Sequence, residues 1–90
     1  WLRHAAHANA MAAEIERGLR AFANVRIAYP RQANSVFALL PAPMTDALRA
    51  KGWLFYTDVG PDDAARLMCS WDTTAEDVAA FLRDAAGAIH

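Results

Sequence analysis

The sequence is poor in the residues that would build most self-contained active sites. It has one cysteine, Cys69, so an internal disulfide and a cysteine-based metal cluster are excluded. It has one lysine, Lys51. Its 4 glycines form no phosphate-cradling loop and no paired dinucleotide motif. No apolar run approaches the roughly 18–20 residues needed to span a membrane, and no secretory signal pattern is present. A reducing cytoplasm fits that cysteine usage. Charge of either sign is also lacking in excess: 9 basic and 10 acidic residues leave a net charge of −1. Without a basic stripe, nucleic acid and anionic membrane are poor partners.

What is present reads as one globular domain over residues 1–90. The apolar fraction of 56% against 21% charged residues is the balance of a folded chain, not a disordered one. The length supports a single thin core. The chain opens as Trp1-Leu2-Arg3-His4, already helical in pattern and without a methionine or a capping residue. An amino-terminal part is therefore expected to precede it.

Hydrophobic spacing predicts the elements in order. From Leu2 to Phe22, Met11, Ile15, Leu19 and Phe22 recur every three or four residues, with Leu2, Ala5 and Ala6 extending the stripe. Six alanines between Ala5 and Ala13 favour helix and present a low surface that a neighbour can approach closely. Val25 to Tyr29 is a short strand closed by Pro30, and Asn34 to Leu40 is a stronger, central one. A helix opens near Pro43 and stops at Gly52. Trp53 to Val59 is the third strand, with Trp53, Phe55, Thr57 and Val59 on one face and Leu54, Tyr56 and Asp58 on the other. Gly60-Pro61-Asp62-Asp63 is a turn, and Ala65 to Trp71 the fourth strand. Thr73 and Glu76 have capping-box spacing at the start of a last helix whose stripe is Val78, Phe81, Leu82, Ala85 and Ile89. The order α-β-β-α-β-β-α implies an α+β two-layer sandwich, a mostly antiparallel sheet with helices on one face.

Several residues offer chemistry, each with a plain structural alternative. His4 and His7 have i, i+3 spacing but no third metal ligand nearby, which favours a structural role. Lys51, one residue before the helix stop, fits complementing the helix dipole better than a nucleophile whose pKa must be lowered. Cys69 reads as a buried small hydrophobe rather than a reactive thiol. Trp53, Phe55 and Tyr56 are a binding platform or, more in keeping with strand spacing, core or subunit interface. Asp58 either pairs with an arginine or faces solvent.

Arg66 stands apart. It interrupts an apolar strand, shares a face with Met68 and Ser70, and must find an anion or reach water. Its planar fork matches a carboxylate. The residues alone leave both readings open.

Four segments remain to be placed: Arg66-Leu67-Met68-Cys69-Ser70-Trp71-Asp72-Thr73 with Glu76-Asp77-Val78, then Ala33-Asn34-Ser35-Val36-Phe37, Gly52-Trp53-Leu54-Phe55-Tyr56, and Ala8-Asn9-Ala10-Met11-Ala12. Together they resemble the low-specificity L-threonine aldolases. The resemblance spans essentially the whole chain in the family's order. It implies the small carboxy-terminal domain of a fold-type-I enzyme dependent on pyridoxal 5'-phosphate (PLP), with residues 1–22 as the second half of the interdomain helix. It implies that the cofactor and its lysine belong to a large domain upstream, absent from this chain, so that these 90 residues alone are inactive. It implies a homodimer or homotetramer. It further implies cleavage of threonine, or a related β-hydroxy-α-amino acid, to glycine and an aldehyde, with the PLP ring as electron sink. By position, Arg66 is then the residue that binds the substrate α-carboxylate. Asn34, at a strand start, either faces the site or caps backbone. Alternatives are an aminotransferase, a serine hydroxymethyltransferase or a β-eliminating lyase of the same fold, or a stand-alone binding module.

Overall fold

In a computed structural model, residues 2–88 are described. The apolar spacing of the first segment yields a helix, α1 (Leu2–Arg20), whose buried line is Ala8, Ala12, Ile15 and Leu19. This is a 3.6-residue stripe, but it departs from the expected one at its start: Ala5 and Ala6 are exposed, and Ala8 and Ala12 carry the contact instead. The helix stops at Arg20, and a turn over residues 21–24 leads into the sheet.

The remaining elements are β1 (Arg26–Gln32), β2 (Ser35–Leu39), α2 (Ala42–Ala50), β3 (Tyr56–Val59), β4 (Ala64–Met68) and α3 (Ala75–Gly87). The four strands form one sheet in the order β1-β2-β4-β3, every pair antiparallel. The two sequence-local hairpins, β1–β2 and β3–β4, are thus zipped together through β2 and β4. The fold is the expected α+β two-layer sandwich.

Alternation along the strands sends Val36, Ala38 and Leu67 to one face, where they join Ile15 and Leu19 of α1, Met44 and Leu48 of α2, and Val78 and Phe81 of α3 in a single core. Completely burying Leu19, Met44 or Leu48 contributes about 1.5–3 kcal/mol each. All three helices therefore lie on one side of the sheet. Ile89, expected to continue the α3 stripe, lies outside the described residues, as does the Leu2 side chain.

Several boundaries differ from the sequence expectation, each for a physical reason. Pro30 does not close β1. The strand is at the sheet edge, where a residue without an N–H costs no ladder bond, and the pairing register shifts on either side of Tyr29. Trp53, Leu54 and Phe55 precede β3 rather than belonging to it. Gly52, at φ +95°, ends α2 with its N–H on the Arg49 carbonyl and the Trp53 N–H on that of Leu48, so the chain leaves the helix in a Schellman turn. Arg49 then holds the segment, donating to the Phe55 carbonyl at 3.2 Å and to Thr57 Oγ1 at 3.3 Å, with its guanidinium 5.1 Å from the Phe55 ring centre.

β4 ends at Met68, and Cys69, Ser70 and Trp71 run on outside the ladder. The capping box of α3 is formed by Thr74 and Asp77, not by Thr73 and Glu76: Asp77 N–H donates to Thr74 Oγ1, and Thr74 N–H to Asp77 Oδ2, both at 3.0 Å. Thr73 Oγ1 is engaged elsewhere, accepting from the Ser70 N–H at 2.9 Å.

Across the other end of the domain, Glu16 accepts from Arg20 at 2.9 Å and from Arg31 at 3.1 Å, tying α1 to β1. Burial pushes the Glu16 carboxyl up, but the hydrogen bonds from the two arginines outweigh it and hold it below its ordinary value.

Candidate functional site

The sheet face turned away from the helices carries a row of four side chains in register, one from each strand: Tyr29, Phe37, Arg66 and Tyr56. Tyr29 and Phe37 meet edge to face with ring centres 5.9 Å apart. Arg66 is the one charged member and lies between Phe37 and Tyr56. Met68, the next residue on that face of β4, is 52% exposed and Tyr56 67% exposed, so this face is apolar, open and centred on one cation.

The Arg66 side chain is half-buried. Its Nε donates to Ser35 Oγ at 3.4 Å. No carboxylate of the described residues lies within ion-pairing distance of it; their salt bridges involve Arg17, Arg20, Arg31 and Lys51. Arg66 thus lies half-buried among apolar side chains with no acidic partner among the described residues, and its planar fork is chemically suited to an anion.

The other residues singled out by sequence fall away from this face. Asn34 serves the backbone: its Nδ2 donates to the Cys69 carbonyl at 2.6 Å, beside a return bond from Cys69 N–H to the Asn34 carbonyl. Cys69 is buried, and burial pushes its thiol pKa up, away from reactivity. Trp53 packs edge to face on Phe81 with ring centres 5.3 Å apart and donates from Nε1 to Asp84 Oδ2 at 2.9 Å, so it belongs to the core. Phe55 is half-buried beneath Arg49, whereas Leu54 is 95% exposed. Asp58 is exposed on the β3 bulge at φ +61°. His7 Nε2 meets the Thr73 carbonyl, joining α1 to the start of α3, and the His4 ring lies 5.5 Å from that of Trp71. Among the described residues no three His, Cys, Asp or Glu side chains are grouped to hold a metal ion. No helix among them is long and apolar enough to cross a membrane.

Lys51 caps the carboxy-terminal end of α2, with Nζ 3.8 Å from Asp84 Oδ1 and its side chain largely exposed. It lies in the helical layer, with the sheet between it and Arg66. A lysine so hydrated and paired is not set up for covalent cofactor chemistry.

Sequence reasoning missed Ser35. It is only 3% exposed, the one buried polar residue among those described, and lies on the sheet face that carries Arg66. The signal was present: a hydroxyl at the head of the otherwise apolar run Val36-Phe37-Ala38-Leu39 calls for a partner.

No family model matches the chain. Among curated proteins, it is 45% identical over 84 residues to the low-specificity L-threonine aldolase of Pseudomonas aeruginosa, covering 93% of this chain and 24% of that protein. It is 48% identical over 73 residues to the low-specificity L-threonine aldolase of another Pseudomonas strain, covering 81% of this chain and 21% of that one. The chain thus spans under a quarter of the length of these relatives. Among solved structures, Leishmania major threonine aldolase superposes with a TM-score of 0.79 at 30% identity, over 94% of this chain and 25% of that one. Burkholderia pseudomallei sphingosine-1-phosphate lyase superposes with a TM-score of 0.75 at 23% identity, over 94% of this chain and 20% of that one, a likeness of fold alone. Sequence and fold agree along nearly the whole chain, which is similar to one small fold-type-I domain of the low-specificity L-threonine aldolases.

Proposed function

We propose that this chain is the small carboxy-terminal domain of a PLP-dependent aldolase, and that Arg66 binds the α-carboxylate of threonine or a related β-hydroxy-α-amino acid that is cleaved to glycine and an aldehyde. The observation that carries the reading is the Arg66 guanidinium, half-buried at the centre of an open sheet face, with no acidic partner among the described residues. An amino-acid carboxylate supplies the missing anion, and a forked contact fixes both its position and its plane. Holding the carboxylate fixes the orientation of the α-carbon bonds, which is how such a domain aligns the bond to be broken.

The cofactor and its lysine are assigned to the large domain that makes up the rest of the relatives' length, and the 90 residues alone are then inactive. In that setting α1 (Leu2–Arg20) is the second half of the interdomain helix. The whole enzyme is a cytoplasmic homodimer or homotetramer of amino-acid metabolism. The identity of 45–48% to the aldolases supports this chemistry over the other reactions that share the fold.

The test is Arg66→Ala in the complete enzyme. Loss of one bidentate charged contact costs about 2–4 kcal/mol in kcat/KM, expressed chiefly as a raised threonine KM, while PLP absorbance is retained. Unchanged kinetics would remove Arg66 from the site.

A further inference from the structure

We propose that Ser35 is a positioning residue for Arg66, holding Nε so that the Nη1/Nη2 edge is the one that meets the anion. The proposal rests on the carboxylate reading of Arg66 given above and adds to it which edge of the guanidinium binds. A guanidinium has two edges able to grip a carboxylate with parallel hydrogen bonds, one made of Nε and an Nη, the other of the two Nη groups. In this fold the first edge is occupied on its Nε side by Ser35 Oγ at 3.4 Å.

The geometry behind that contact is fixed by the sheet. Ser35 pairs with Met68, and Phe37 with Arg66, so Ser35 and Arg66 are diagonal neighbours on one face of adjacent antiparallel strands. β2 and β4 are the two inner strands, and their backbones are held on both sides. Ser35 is 3% exposed, and the hydrogen bond from Arg66 is the one that engages its hydroxyl among the described residues. A hydroxyl at that depth costs stability unless it is partnered, whereas alanine would not. Its presence is explained by what it does to Arg66. It removes rotamers from a long side chain that would otherwise be ordered only when the anion arrives.

The experiment measures, in the complete enzyme, threonine KM and kcat, the dissociation constant of glycine, and that of ethanolamine, which lacks the carboxylate. Ser35→Ala is expected to raise threonine KM and the glycine constant about 5–10-fold, with a smaller change in kcat and no change for ethanolamine. Ser35→Thr, which keeps the hydroxyl, is expected to restore glycine binding to within about twofold of the parent. Should Ser35→Ala fail to fold, Ser35→Cys, slightly larger and a weaker acceptor, must show the same rise. A raised KM in Arg66→Ala with an unchanged KM in the Ser35 variants overturns the positioning role and leaves the carboxylate reading standing. An unchanged KM in Arg66→Ala overturns both. Equal weakening of glycine and ethanolamine by Ser35→Ala also overturns the proposal, because the effect would then not pass through the carboxylate.

Discussion

Asn34 and Cys69 are clasped by two hydrogen bonds, from Asn34 Nδ2 to the Cys69 carbonyl at 2.6 Å and from the Cys69 N–H to the Asn34 carbonyl at 3.0 Å. The clasp lies just beyond the β2–β4 ladder, one residue from Ser35 and three from Arg66. It extends the pairing past the point where β4 ends. Asn34→Ala should cost about 1–3 kcal/mol by leaving the Cys69 carbonyl without its side-chain donor, read as a lower urea midpoint. Asn34→Asp should be worse at neutral pH, since it sets a carboxylate against that same carbonyl.

Burial of the Cys69 thiol gives stability a dependence on alkaline pH. Its pKa is raised in the folded chain by desolvation, so the unfolded chain releases the proton first. Between the ordinary thiol pKa of about 8.5 and the higher folded value, the folded state binds more protons and stability falls with rising pH. Below that window the contribution is fully present. Denaturation midpoints measured across the alkaline range should decline, and Cys69→Ala should flatten the decline after subtraction of its own constant cavity cost.

The true cap of α3 can be told from its sequence neighbour by stability alone. Thr74→Ala should cost about 1 kcal/mol, because Thr74 Oγ1 satisfies the Asp77 N–H. Asp77→Ala should cost a similar amount, since it loses the reciprocal bond and a charge that complements the helix dipole. Glu76→Ala removes only the charge effect, about 0.3–1 kcal/mol. Thermal melts of the three variants check the ranking.

Gly60 is required twice over. Its φ is +71°, and a Cβ placed there would lie 2.6 Å from the Tyr29 hydroxyl. That hydroxyl donates to Asp62 Oδ2 at 3.3 Å across the same turn. Gly60→Ala should cost at least about 1–2 kcal/mol from the left-handed backbone, with displacement of Tyr29 added. Gly87→Ala is the contrasting variant: a Cβ there meets nothing within 4 Å, and the position is helical. It should be neutral or stabilising by up to about 1 kcal/mol. Comparison of melting temperatures tests both.

The number, type and order of the elements, and therefore the fold class, are legible in local spacing: Ile15 and Leu19 at helical period, Val36 and Ala38 at strand period, Gly52 at a helix end. Arg66 also stands out locally, since a cation inside an apolar strand is anomalous. Decisions between near neighbours were not local. Thr73 and Thr74 offer the same chemistry for a cap, and the choice fell to Thr74 because Thr73 Oγ1 is taken by the Ser70 N–H. Pro30 reads as a strand stop until β1 proves to be an edge strand, where its missing N–H is harmless. The meeting of Ser35 and Arg66 is a product of strand pairing. They are 31 residues apart in sequence, and nothing brings them together except the register in which β2 pairs with β4. That register fixes which side chains share the open face with Arg66, because a slip of one residue would send Ser35 and Phe37 into the core.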